Sequence, residues 1–171
     1  MAEVKDPLTF LQAAINVSRL TKHEFTLVGE GNLLDECRAL AKGRENIKIR
    51  GWLKQEVVND LMRETDVFCQ LDTCENIWAA TLISAMKHGK AIICTNVGYT
   101  SRYLKHGYHA LLIPPRDPIA LADAIAFLAN HPEVREELGK NASSFIKENM
   151  SIDKISREIH SLLFDLVKRN K

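Results

Sequence analysis

The segment CENIWAATLISAM, Cys74 to Met86, combines polar groups and small residues in a way that suits binding of an anion and a sugar. A helix that begins near Trp78 leaves the first backbone N–H groups, at residues 79–81, without helical acceptors, and the small side chains there let an anion approach. Glu75 or Asn76, just before this helix, has the right chemistry for a hydrogen bond to a sugar hydroxyl. The apolar side chains of the helix are better explained as a stripe that faces the core.

A second segment, VGEGN, places two glycines between an apolar run and a helical pattern. Gly29 and Gly31 allow a backbone to come close to a phosphate at a helix N-terminus. A tight turn between strand and helix explains the same pattern without any ligand. Glu30, between the glycines, would repel a phosphate if its side chain pointed inward.

The elements that position these residues alternate between two patterns. Helical periodicity predicts helices in DPLTFLQAAINVSRL, NLLDECRALAKG, KQEVVNDLMRET, WAATLISAMKHG, DPIALADAIAFLAN, PEVREELGKNASSFIKEN and SIDKISREIHSLLFDLVKRN, with a helical turn at residues 101–105. Asp6 and Ser151 are predicted N-caps, and the Asp-Pro start recurs at Asp117. Short apolar runs predict strands in HEFTLVG, NIKIRGW, DVFCQL, KAIICTNVG and ALLIPP.

This alternation predicts an α/β fold: one doubly wound, Rossmann-like parallel sheet with helices on both faces, in one domain that spans residues 1–171. In such sheets ligands bind at the carboxyl ends of the strands. The loops at residues 29–32, 51–54, 71–80 and 96–102 should therefore line one rim.

Composition excludes several classes of protein. Lys and Arg number 23 and Asp and Glu 22, so the net charge of +1 does not point to nucleic acid or to an anionic membrane. The apolar runs are too short for a membrane span, and the start MAEVKDPLTF does not resemble a signal peptide. The four cysteines lack metal-ligand spacing and are expected to be reduced core residues, and no metal site is expected.

The segments FTLVGEGN, NIKIRGWL, DVFCQL, AMKHGKAIICTNVG, LKHGYHALLIPPRDPIALADAI and FIKENMSIDKI carry a family resemblance. In order and spacing they resemble the C-terminal, nucleotide-sugar-binding lobe of GT-B glycosyltransferases. The matching family is the large retaining one that includes sucrose synthases and bacterial lipopolysaccharide and capsule transferases. The resemblance covers about residues 4 to 160.

The resemblance implies a donor site for a nucleoside-diphosphate sugar and no further cofactor. A lysine before the first helix and the start of the site helix hold the diphosphate in the family, a glycine loop lets it approach, and the loop after the next strand holds the base. Carried onto this chain, the donor-binding residues are Lys5, Gly29, Gly31, Trp52, Leu53, Glu75, Asn76, Ala79, Ala80, Thr81 and Ser84. No catalytic residue is assigned in this lobe.

Three carboxylate positions of the family pattern are altered or ambiguous, and one glycine is replaced. Without a gap, the pattern EGFGxxxLEAM puts Asn76 and Ser84 where two carboxylates belong; one inserted residue restores Glu75 as the first. Arg102 falls on a further glutamate of the family, and Tyr99 replaces a glycine. These changes are expected to weaken binding of the sugar donor.

The chain is expected to be the donor-binding domain of a cytoplasmic glycosyltransferase that transfers a sugar to a glycan, lipid or protein. Its N-terminal acceptor lobe, through which the protein would associate with a membrane, lies elsewhere in a longer polypeptide, so the chain alone is expected to be inactive. A small stand-alone relative is the other possibility for the chain. The alternative function is a degenerate lobe that acts as a binding module; a two-lobed sugar-nucleotide epimerase would need acid and base groups that have no match here.

Overall fold

Strands and helices alternate along the chain as the sequence predicts. The computed structural model describes residues 1–18, 23–74 and 79–169. Within these ranges the strands are β1 Phe25–Val28, β2 Ile47–Arg50, β3 Val67–Gln70, β4 Ala91–Thr95 and β5 Leu111–Ile113. The helices there are α1 Pro7–Ser18, α2 Leu34–Ala41, α3 Gln55–Glu64, α4 Ala80–Lys87, α5 Gly98–Tyr103, α6 Pro118–Asn130, α7 Pro132–Asn149 and α8 Ile152–Arg169, and a 3-10 turn at Glu3–Lys5 precedes α1.

The predicted helix starts are confirmed by their capping hydrogen bonds. Asp117 accepts from the N–H groups of Ile119 and Ala120, and Pro118 follows it at the first helical position. Ser151 caps α8 by accepting from the Lys154 N–H at 3.2 Å. Asp6 accepts from the Thr9 N–H at 3.4 Å, a longer contact.

Parallel pairing organises the strands. β1 pairs with β2, with Phe25 opposite Ile47, and β3, β4 and β5 pair in that order. The α/β class with parallel strands flanked by helices is confirmed. The single continuous sheet is not what forms: the described strands make a two-stranded and a three-stranded sheet, and β1 and β3 are not hydrogen-bonded to each other.

One hydrophobic core nevertheless runs beneath both sheets. Phe25 and Ile47 from the first sheet and Ile93 and Ile113 from the second belong to the same buried cluster. Helices α1 and α6 pack against each other over it, with Leu11 and Leu121 fully buried. Each such side chain contributes about 1.5 to 3 kcal/mol by leaving water, so the shared cluster stabilises the packing of the two sheets in one domain.

The other face of β4 packs against α4 and α7. Leu82, Met86, Ile92 and Ile146 form a second buried cluster there. All five residues of β4 are buried, as expected for a parallel strand covered on both faces.

Helix α8 keeps an apolar face exposed. Six of its apolar side chains are 42–64% exposed: Ile155, Ile159, Leu162, Leu163, Phe164 and Leu166. Among the described helices, none has the length and apolar character needed to cross a membrane.

The loop before β5 is organised by a buried histidine. His109 is 7% exposed, accepts from the Lys105 N–H at Nδ1, and packs against Phe145 of α7. Burial, with a smaller effect of the Lys105 charge, lowers the pKa of His109 below its usual 6.5. The folded structure therefore favours the neutral form of His109.

This histidine should make stability depend on pH. Because its pKa is lower in the folded state, the unfolded chain binds more protons, so stability is full above about pH 6.5 and falls as the pH drops. The substitution His109→Gln keeps an acceptor that does not titrate. Urea unfolding at about pH 7.5 and about pH 5.5 should show the native protein losing more stability than H109Q; equal losses would contradict the assignment.

Candidate functional site

The cavity between the two sheets reaches two of the predicted site segments. Lys5 and the start of α4, at Ala79 and Thr81, line the same cavity of about 910 Å³. The residues in between, 75–78, lie outside the described ranges, so the predicted roles of Glu75 and Asn76 remain predictions.

In the structure, the described helix α4 begins after Ala79. Ala79 is the N-cap, has extended backbone angles and makes no side-chain capping bond. The first backbone bond of the helix runs from the Ile83 N–H to the Ala79 carbonyl, so the N–H groups of Ala80, Thr81 and Leu82 have no acceptor within the helix. They present a partial positive charge to the rim. Ser84 is half-buried within the same helix.

Lys5 is held by a buried carboxylate that sequence reasoning missed. Its Nζ lies 2.6 Å from Asp72 Oδ1; the Lys5 side chain is 41% exposed and that of Asp72 7%. Gln70 donates to Asp72 Oδ2 at 2.7 Å, and the Thr95 hydroxyl donates to the Asp72 carbonyl at 2.7 Å. The only sequence signal was an acidic residue directly after the apolar run DVFCQL.

No thiolate adds to this negative charge. The Cys94 thiol lies near Asp72. Burial raises the pKa of this thiol to about 12, and the Cys69 thiol and the Asp72 carboxylate add smaller effects in the same direction. Its thiol therefore stays protonated at neutral pH.

The glycine loop has the backbone angles that favour glycine. Gly29 has φ of 136° and Gly31 has φ of 142°. The Gly29 N–H donates to the carbonyls of Arg50 and Gly51, at 3.1 and 3.2 Å, so it is already engaged. Gly31 lies against the backbone of Met1, where a Cβ would come within 2.4 Å of the Met1 nitrogen.

Glu30 turns toward the next loop. Its Oε1 accepts from the Trp52 N–H at 3.3 Å, which links the first rim loop to the second. A nucleotide base that accepted a hydrogen bond from the Trp52 N–H, as predicted, would therefore have to displace the Glu30 carboxylate. The Trp52 side chain is 67% exposed, and Leu53 beside it is half-buried.

The last rim loop carries the third departure from the family pattern. In α5 the Arg102 guanidinium lies over the Tyr99 ring, 5.7 Å from its centre, and Tyr99 stacks on Tyr103. An aromatic and cationic surface thus occupies the place where a carboxylate was expected. In the described part of the chain, no group of three His, Cys, Asp or Glu side chains forms a metal-binding cluster.

Comparison with known proteins gives a consistent result. The model of one protein family, described as glycosyl transferases group 1, matches residues 1–131. The D-rhamnosyltransferase WbpZ of Pseudomonas aeruginosa is 28% identical over 128 residues, which are 72% of this chain and 34% of that protein. The phosphatidyl-myo-inositol mannosyltransferase of Mycobacterium leprae is 28% identical over 66% of this chain and 30% of its own length. The chain thus spans about a third of these relatives.

Solved structures show the same fold. Alr3699/HepE from Anabaena, crystallised with UDP and glucose, superposes with a TM-score of 0.83 at 17% identity, over 95% of this chain and 45% of that one. The C-terminal domain of the group 1 glycosyl transferase LpcC from Francisella tularensis superposes with a TM-score of 0.80 at 17% identity, over 89% of this chain and 83% of that domain. The fold is therefore that of a C-terminal GT-B lobe.

Proposed function

The chain belongs to the group 1 glycosyl transferases, and from that premise we propose that it binds the nucleoside diphosphate of a sugar donor at its rim. The observation that carries the proposal is the position of Lys5, held by Asp72 just after β3, on the same strand end from which the chain leads to the uncapped start of α4. A primary ammonium and a helix N-terminus facing one space form a site for a diphosphate. The family relationship makes a sugar nucleotide the natural ligand.

In this proposal the chain's own residues compensate the charge of the leaving diphosphate. Lys5 supplies a full charge, and the N–H groups of Ala80 and Thr81 supply directed hydrogen bonds. The Trp52 and Leu53 loop takes the base, Glu75 or Asn76 the sugar, and Ser84 the ribose. A serine hydroxyl can replace only part of the hydrogen bonding that a carboxylate gives to a hydroxyl. Its presence at this position weakens donor binding by about 1.5 to 3 kcal/mol.

We further propose that the acceptor site lies in a second lobe of a longer polypeptide. The chain spans 34% of WbpZ and 45% of HepE, and the exposed apolar face of α8 supports a neighbouring domain. The longer protein would transfer a sugar to a glycan, lipid or protein acceptor. The isolated chain would bind the donor without transferring its sugar.

The test is a thermal-shift panel with UDP, GDP and ADP on the chain and on the longer protein. A nucleotide at a hundred times its dissociation constant stabilises a protein by about 2.7 kcal/mol, which raises the melting temperature by several degrees. Selective stabilisation by one nucleotide is the expected result. Flat curves with the longer protein would reject the proposal.

The ion pair between Lys5 and Asp72 leads to an opposed pair of predictions. Lys5→Ala should weaken binding of the selected nucleotide by about tenfold or more, because a charge-assisted contact is lost. Asp72→Asn should strengthen it by about three- to tenfold, because the carboxylate competes with the phosphates for the ammonium. Asparagine has nearly the same shape and keeps an oxygen for Gln70.

Calorimetric titration of K5A, D72N and the native chain measures both changes. If D72N loses as much affinity as K5A, Asp72 instead holds Lys5 in its binding position. Thermal unfolding of the three proteins without nucleotide serves as the control for general damage.

A second function is favoured by one specific observation. The observation is the loss of carboxylates that the family has, because Ser84 and Arg102 stand at their positions. A lobe with these changes would serve as a binding module in a larger assembly. The nucleotide panel on the longer protein separates the two functions, because the module would bind none of the nucleotides.

A further inference from the structure

Glu30 places a carboxylate at the loop proposed to take the nucleotide base. β1 and β2 run parallel with Val28 opposite Arg50, so the residues that follow the two strands meet at one end of the sheet. There Glu30 Oε1 accepts a hydrogen bond from the Trp52 N–H at 3.3 Å. The same oxygen lies 3.7 Å from the position that a Cβ would take on Gly51. The carboxylate therefore lies against the backbone of Gly51 and Trp52.

This carboxylate keeps most of its capacity to accept hydrogen bonds. Its two oxygens have about four lone-pair sites between them, and the Trp52 N–H uses one of these. Among the residues that the structure describes, Glu30 forms no ion pair, and its Oε2 has no hydrogen-bond partner. The residue is exposed at the surface of the loop. A ligand at this place therefore meets a charged acceptor.

Nucleotide bases differ in what they offer to a carboxylate. The Watson–Crick edge of guanine carries two adjacent donors, the N1–H and the N2 amino group, which match the two oxygens of one carboxylate. Uracil has one N–H between two carbonyl oxygens, and a carboxylate repels both of these oxygens. Adenine has an amino group beside a nitrogen that only accepts. A carboxylate at the base loop therefore favours guanine over uracil and adenine.

The hydrogen bond between Glu30 and Trp52 favours the same base. A uracil carbonyl that accepted from the Trp52 N–H would have to displace Glu30 and leave its charge without this donor. Guanine can donate to Oε2 and to the remaining lone pair of Oε1 while the Trp52 contact stays in place. The contact also holds the Glu30 side chain before the base arrives, which lowers the entropy cost of binding.

We propose that Glu30 is a specificity-determining residue that selects guanine by accepting hydrogen bonds from its N1–H and its N2 amino group. The sugar donor is then a guanosine diphosphate sugar. The inference rests on the proposed function, because it requires that the base lies at the Trp52 loop. It adds the identity of the base, which the proposed function leaves open.

Calorimetric titration of the chain with four nucleotides tests this selection. The nucleotides are GDP, UDP, ADP and inosine diphosphate, which is GDP without the N2 amino group. GDP should bind about tenfold or more tightly than UDP and ADP. Inosine diphosphate should bind about tenfold more weakly than GDP, because one charge-assisted hydrogen bond is lost. These comparisons use the native chain, so they do not depend on the folding of a variant.

The substitution Glu30→Gln assigns the effect to this side chain. Glutamine has nearly the same shape and can still accept from the Trp52 N–H, but its amide nitrogen donates and opposes the guanine donors. The variant should bind GDP about tenfold more weakly, and its preference for GDP over inosine diphosphate should fall to about threefold or less. Glu45→Gln, at an exposed position before the other end of β2, is the matched control and should keep the native affinities.

Tighter binding of UDP or ADP than of GDP would overturn the inference and leave the proposed nucleotide site standing. So would an equal loss of affinity for all four nucleotides in Glu30→Gln, because Glu30 would then only link the two loops. A preference for GDP over inosine diphosphate that Glu30→Gln leaves unchanged would also overturn it. If neither the chain nor the longer protein binds any of the nucleotides, the proposed function is rejected and the inference with it.

Discussion

Replacing Gly139 with alanine is expected to lower the free energy of unfolding by about 3 kcal/mol. A Cβ at this position would lie 1.9 Å from the carbonyl oxygen of Gly89 and 2.7 Å from its carbonyl carbon. Both are backbone atoms of the turn that follows α4, so α7 must move away from α4. The expected loss of stability is informative, because replacing glycine with alanine inside a helix normally stabilises the protein by about 1 kcal/mol.

Urea unfolding at neutral pH measures the change. Ser144→Ala, at an exposed position of the same helix, is the matched control and should leave the stability nearly unchanged. A Gly139→Ala protein as stable as the native chain would show that α7 does not pack this closely against the Gly89 turn.

The second large effect is expected at the glycine loop, where two neighbouring glycines give a matched comparison. Gly29 and Gly31 both have positive φ, at 136° and 142°, so alanine is strained at either position. A Cβ at Gly29 meets no atom within 4 Å, whereas at Gly31 it meets the Met1 nitrogen at 2.4 Å. Gly31→Ala should therefore cost about 1 to 3 kcal/mol more than Gly29→Ala.

The extra cost should come with displacement of the N-terminal segment. Hydrogen exchange at Thr73, whose N–H donates to the Val4 carbonyl, should accelerate in Gly31→Ala and stay near the native rate in Gly29→Ala. Equal destabilisation by the two substitutions, with Thr73 still protected in both, would rule out the close approach of Met1 to the loop.

Local sequence patterns were sufficient to predict the strands and helices. Each strand was marked by a short apolar run, and Asp117 and Ser151 stand at helix starts where their side chains accept backbone N–H groups. Such signals act within a few residues, so the chain displays them directly.

Long-range pairings could not be predicted in this way. Lys5 and Asp72 are 67 positions apart, and nothing in either neighbourhood specifies the other. The contact between Gly89 and Gly139 depends in the same way on how α4 and α7 pack. The separation into two sheets was not predicted, because an apolar run indicates a strand but not which strands pair with it.

The candidate site was predicted only in part. The Lys5 position followed from the family resemblance, and the structure places Lys5 and the start of α4 on one cavity. The engagement of the Gly29 and Trp52 N–H groups was not predicted, because it depends on Arg50, Gly51 and Glu30 across two loops.

We propose that the rim binds a nucleoside diphosphate through Lys5 and the start of α4. An amide-resolved NMR titration of the chain with UDP, GDP and ADP tests it most directly. We expect one of these nucleotides to shift the amide signals of Ala80, Thr81 and Gly31, and Lys5→Ala to weaken that response. Shifts confined to other surfaces, or a response unchanged in Lys5→Ala, would contradict it.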